Sequence, residues 1–143
     1  MIPEVQNMID VFSRFQSNSD TVLLDLVRAK KNFVLGLNTS QMNAGKKASG
    51  ESLVPGYAES TIEYKRRKNQ PFDRVTLEDE GDFYDSLIIE YGQDSFLIGS
   101  DDTKAVYLER KYGLDIYGLT EENIGLLSDE LIDELINELR SDL

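Results

Sequence analysis

Two runs of β-forming residues separated by a tight turn constrain this chain more than anything else in it. Leu87-Ile88-Ile89-Glu90-Tyr91 and Ser95-Phe96-Leu97-Ile98-Gly99 flank Gly92-Gln93-Asp94, a trio with the chemistry of a reversal. The pattern predicts a β-hairpin. Ala105, Leu108, Lys111 and Tyr112 then recur at helical spacing, and Gly113 after two basic residues supplies a C-terminal stop. Ahead of the hairpin, Glu78-Asp79-Glu80-Gly81-Asp82-Phe83-Tyr84-Asp85 sets a glycine between acids and an aromatic pair, which predicts a turn or short helix whose rings pack under the sheet.

The flanks are helical. Val5, Met8, Ile9, Phe12 and Phe15 fall at helical intervals after Pro3, which a first turn tolerates because its missing N–H has no helical partner anyway. Ser17 to Asp20 break that pattern and cap a second helix over about 20–37, with Val22, Leu23, Leu26, Val27, Phe33, Val34 and Leu37 on one face. At the other end, Thr120 with Glu121 and Glu122 starts a short helix. Ser128 then caps a last amphipathic one, whose stripe is Leu131, Ile132, Leu135, Ile136 and Leu139. Together these predict an α+β fold: N-terminal helices packed on a small antiparallel β-sheet, a long arm or loop, and a C-terminal amphipathic helix. One structural domain is expected, with a helical segment at 1–40, an arm at 41–74 and an acidic body at 75–143.

The arm is inferred from a loss of periodicity. Between Asn38 and Gly56 no apolar repeat survives, and Asn43 to Ser52 read as an exposed loop of a length that is usually functional. A short helix follows, anchored by Tyr57 and Tyr64 and carrying Lys65-Arg66-Arg67-Lys68. It stops before Asn69-Gln70-Pro71, and the arm rejoins the body near Phe72. Removing 41–56 is expected to leave the body folded.

Charge is unevenly placed. The chain carries a net −12, but 1–40 is neutral, 41–74 holds seven bases and four acids, and 75–143 holds nineteen acids and four bases. Such a molecule can associate with its own copies, positive arm against negative body. There is no cysteine and no histidine, which removes disulfides, thiolate metal sites and the commonest acid–base group. No cofactor, metal or catalytic residue is expected. The acidic cluster at 78–85 with Asp101 and Asp102 lacks the spacing of a calcium loop and reads as solvated turns and helix caps. No apolar run approaches the roughly 20 residues of a membrane span, and MIPEVQNMID is acidic where a secretory signal is basic. A soluble protein made in a cytoplasm is therefore expected.

Two groups of residues are candidates for partner contact: Tyr57, Tyr64, Lys65, Arg66, Arg67, Lys68 and Phe72 on the arm, and the stripe Leu131, Ile132, Leu135, Ile136 and Leu139. Cations interleaved with aromatics suit phosphates and bases, so a nucleic-acid-binding module is one reading of the first group. A small acidic regulatory or inhibitor protein that mimics nucleic-acid charge is another reading of the whole chain. The terminal stripe packs either on its own core or in a groove of a neighbour.

Leu77-Glu78-Asp79-Glu80-Gly81-Asp82-Phe83-Tyr84-Asp85-Ser86-Leu87, the hairpin ending Ile98-Gly99-Ser100, and Ala105 to Gly113 in that order resemble the tail-completion and virion-morphogenesis proteins of tailed bacteriophages. Pro55 to Thr61 and Lys65 to Leu77 are similar to the variant in phages of Bacteroidetes-type hosts, although Glu80 stands where the family usually has threonine. The resemblance covers about residues 50–120. It implies a structural protein of the virion, not an enzyme. It further implies a homo-oligomeric ring, six- or twelve-fold, in the neck or head-proximal tail, touching the portal, adjacent ring proteins or the tail tube. DNA would pass through such a ring without specific binding, and no membrane is involved.

Overall fold

The computed structural model describes residue 6, residues 19–78 and residues 81–141. The predicted first helix, with Val5, Met8, Ile9, Phe12 and Phe15, lies outside the described residues, as do Asp79 and Glu80. The order is α1 (Ser19–Ala29), α2 (Lys31–Asn43), α3 (Glu59–Arg67), α4 (Asp82–Asp85), β1 (Leu87–Tyr91), β2 (Phe96–Ser100), α5 (Ala105–Tyr112), a 3-10 turn (Leu114–Ile116) and α6 (Glu121–Ser141). The fold is α+β, helices around one antiparallel two-stranded sheet with a C-terminal helix.

The hairpin forms as its sequence requires. Leu87 pairs with Ser100, Ile89 with Ile98 and Tyr91 with Phe96, so these side chains share the inner face. Glu90 and Leu97 oppose each other on the outer face, where Leu97 is 70% exposed. Gly92 N–H closes the turn on Ser95 O at 2.7 Å. Gly81, in the left-handed region at φ 88°, opens α4, and Phe83 and Tyr84 pack against a core cluster that includes Leu87 of β1. Tyr84 donates to Thr76 O at 2.5 Å.

Among the described residues, two apolar clusters make the core. Met42, Leu53, Val75, Leu77, Leu87, Tyr112 and Ile116 form the first, and Val27, Val34, Ile98 and Leu127 the second; Leu35 and Tyr117 touch both. Helix α2 runs between them because Val34, Asn38, Gln41 and Met42 recur on one buried face. Two of those four are polar, and both find partners on the link into α6. Asn38 Nδ2 donates to Ile116 O at 3.1 Å while its Oδ1 accepts Gly118 N–H at 3.0 Å. Gln41 Nε2 donates to Gly118 O at 3.0 Å, and its Oε1 accepts from Thr120 N–H and Asn123 Nδ2. The side chains of one helix thus satisfy the backbone of an irregular segment that has no strand to pair with.

Three expectations are corrected. The single helix at about 20–37 is two, broken at Lys30 (φ −102°, ψ 26°), and the second continues to Asn43. No glycine or proline marks the break; Lys30 Nζ is held there by Glu130 at 3.0 Å and Glu134 at 3.4 Å, which ties it to α6. The two C-terminal helices are one, and Ser128 lies inside it instead of capping it. Thr120 is the cap, its Oγ1 accepting Asn123 N–H at 3.2 Å.

Finally, the loop from 44 to 58 exists but is packed on the body. Lys47 N–H bonds Glu51 O, Leu53 N–H bonds Gly45 O, and Ala48 N–H bonds Asp115 O, each at 2.8 Å. Gly45 has φ 77°, and a Cβ there would stand 3.1 Å from Arg74 Cβ, so the start of the loop needs glycine. With Met42 and Leu53 in the core, deleting 41–56 would remove part of the body itself.

Candidate functional site

The arm residues divide by depth. Helix α3 begins at Glu59 and ends in Lys65, Arg66 and Arg67, acid and base each at the end the helix dipole favours. Asn69, at φ 56°, and Pro71 close it off. Four consecutive residues point in four directions around a helix, so one of the four cations turns inward. That one is Lys65, only 5% exposed. Its Nζ donates to Glu78 O and to Gln70 Oε1, and lies 5.1 Å from the centre of the Tyr57 ring. Neutral oxygens and an aromatic face hold this ammonium. Tyr57 is half-buried: its hydroxyl accepts Thr76 N–H at 2.9 Å and bonds Thr76 Oγ1 at 3.3 Å. Lys65 is thus turned into the body, and Tyr57 has its hydroxyl engaged there.

What remains outside is a compact basic and aromatic patch. Arg66 lies 4.9 Å over Phe72, Lys68 4.6 Å over Tyr64, and Arg67 is exposed. Tyr64 and Phe72 are themselves well exposed. A nucleic-acid reading through Lys65 to Lys68 therefore has three surface cations to work with instead of four. Beside the patch, between α3 and α5, lies a cleft of about 620 Å³ walled by Tyr57, Tyr64, Phe83, Tyr107 and Tyr112. Its polar lining mixes Glu78, Asp82 and Asp102 with Lys65 and Lys104, which favours neither sign of ligand.

The second group of predicted residues sits over the other cluster. Leu131 packs on it beside buried Leu127, while Ile132 and Ile136 face outward; Leu139 lies in α6, and its side chain is outside the described residues. A groove of about 570 Å³ runs between α1 and α6, lined by Leu23, Val27, Phe96, Ile124, Leu131 and Leu135 among others. Phe96, Ile124 and Leu127 also line a second hollow of about 660 Å³ that spreads over β2 to Leu97, Leu114 and Leu119. The two hollows are one continuous apolar face. Leu114 is 71% and Ile132 54% exposed. Helix α6 carries seven acids and one base, none of them lining either hollow; Glu130 and Glu134 are held by Lys30, while Asp129 and Asp133 stand exposed.

Reading the stripe 131–139 alone missed most of this face. Leu97 looked like an ordinary hairpin residue and Leu114 like part of an apolar link. The signal was present in the alternation of β2, because with Ile98 inward Leu97 has to point out.

Titration behaviour follows burial. Desolvation raises the phenols of Tyr84, Tyr112 and Tyr117 above the ordinary tyrosine value; Glu78 adds to this at Tyr84, and at Tyr117 so does the hydrogen bond to Glu109 Oε1 at 2.8 Å. Among the described residues no group of three or more acids is placed to hold a metal ion, and no helix is long and apolar enough to cross a membrane. Comparison with protein-family models, with curated proteins and with solved structures finds no match to this chain.

Proposed function

We propose that this chain is a structural subunit of a tailed-bacteriophage virion, joining its own copies into a neck or connector ring between the portal and the tail. The observation that carries the reading is the continuous apolar face over β2 and α6, with Leu97, Leu114 and Ile132 all more than half exposed on a small chain. Faces of that kind mark places where another protein sits. The resemblance of residues 50–120 to tail-completion proteins supplies the setting. In this reading the protein is no enzyme, needs no cofactor, is made in the host cytoplasm and resides in the virion. The excess of acids in 75–143 would keep the channel wall from gripping passing DNA.

Native mass spectrometry tests this on the purified chain, alone and mixed with the portal and tail proteins encoded beside its gene. A closed ring in either case is the expected result. A chain that stays monomeric under every condition overturns the proposal and favours the acidic inhibitor, which would instead bind a host enzyme one to one.

A further inference from the structure

We infer that the apolar groove between α1 and α6 is covered by this chain's own segment from Ile2 to Phe15, folded back along α1 as a helix. The inference goes beyond the assembly reading and does not depend on it.

The segment joins the described structure at the groove itself. Leu23, Leu24 and Val27 of α1 line one wall, and α1 begins at Ser19, about 6 Å along the helix from Leu23. Only Gln16, Ser17 and Asn18 stand between Phe15 and that start, a length of link that joins antiparallel helices. The dimensions agree. On the opposite wall the groove runs from Ile124 to Leu135, about 17 Å of α6, and the stripe from Val5 through Met8, Ile9 and Phe12 to Phe15 spans about 15 Å as a helix. The chemistry agrees as well. The lining is apolar except at Asp94, Ser95 and Ser128, and the stripe holds no charged side chain, so each can bury the other without stranding an ion. Helical spacing puts Asp10 and Arg14 on the side opposite the stripe. Gln6, the one described residue of the segment, is helical and exposed, and the same spacing sets it off the stripe. The tether decides between this occupant and a second copy. A segment on so short a link meets the groove at an effective concentration of about millimolar, which a free copy in dilute solution does not approach. The cover takes Ile132 out of the open apolar face. It leaves the hollow over β2, with Leu97 and Leu114, as the part a ring neighbour would occupy.

The chain holds no cysteine, so introduced ones carry spin labels at chosen sites of the full chain. One pair is Asn7→Cys with Ser128→Cys, the second an exposed residue at the groove. The reference pair is Asn7→Cys with Arg67→Cys, exposed on α3. Double-labelled chain is diluted into an excess of unlabelled wild type, so pulsed electron-spin distances report on one molecule whether or not it assembles. The first pair is expected to give a single narrow distance, shorter than that of the reference pair. Ile132→Glu, at a site already 54% exposed and so tolerated by the fold, should widen that distribution at least about twofold, and Phe12→Glu should do the same from the segment's side. A broad distribution without either substitution, a narrow one that survives Ile132→Glu unchanged, or a segment nearer Arg67 than Ser128 overturns the inference. So does a short distance that disappears on dilution, which would seat the segment in the groove of another copy. Ring formation is read from mass and this contact from a distance within one chain, so the two readings fail separately.

Discussion

At the scale of single residues, the fold depends on polar side chains more than its apolar pattern suggests. Asn38 is fully buried on α2, and its amide satisfies both Ile116 C=O and Gly118 N–H. Replacing it with alanine leaves both backbone groups without a partner, and each orphaned group costs about 1–3 kcal/mol. Asn38→Ala should therefore lower stability by about 2–4 kcal/mol in urea unfolding, whereas exposed Ser40→Ala on the same helix should change it by less than about 0.5 kcal/mol. Equal effects at the two sites would show that the 116–120 link is held by something else. The residue type gave no warning. Asparagine at position 38 reads as a helix end, because an isolated amide on an amphipathic pattern looks like a stop. The partners that convert it into a core residue lie 78 and 80 positions away.

At the scale of elements, short local patterns were legible and long ones were not. The hairpin, α4 after Gly81, and α5 ending at Gly113 all follow from signals within a few residues. Element boundaries failed where two local signals competed. Ser128 followed by two acids has the composition of a helix start, but the chain was already helical from Glu121 and nothing between them breaks it. Thr120 is the residue that caps. Thr120→Ala should cost about 1 kcal/mol of stability. Ser128→Ala, at an exposed interior position, should be neutral or stabilising by up to about 0.5 kcal/mol, since alanine is the better helix former. Thermal melts of the two variants separate one continuous helix from two: a loss at Ser128 equal to that at Thr120 would restore the break. The candidate surfaces divide the same way. Of the residues named for partner contact, Arg66, Arg67, Lys68, Tyr64, Phe72, Ile132 and Ile136 are exposed. Lys65 is not, because which of four consecutive cations turns inward depends on the body that the helix lies against.

At the scale of the whole molecule, the sequence's division into helices, arm and body dissolves into contacts that cross it. Lys30 joins the break between α1 and α2 to α6. Tyr117 touches both clusters and donates to Glu109 on α5, and Tyr84 ties α4 to Thr76. These cross-links share a titration property, since Tyr84, Tyr112, Tyr117 and Lys30 all hold their protons more tightly than free side chains do. The unfolded chain releases phenolic protons near pH 10 and lysine protons near 10.5, while the folded chain retains them. Above that point the native state binds more protons than the unfolded one, so stability falls as pH rises. The contribution is fully present below about pH 10 and is lost progressively above it. Melting temperature followed from about pH 8 to about pH 11 should hold steady with respect to these groups at first and then decline. A Tyr84→Phe, Tyr117→Phe double variant should melt lower at neutral pH, having lost two hydrogen bonds, yet decline less steeply in alkali, because phenylalanine has no proton to release. An alkaline slope identical to that of wild type would mean that the links among α4, α5 and the turn before α6 do not govern how the molecule comes apart.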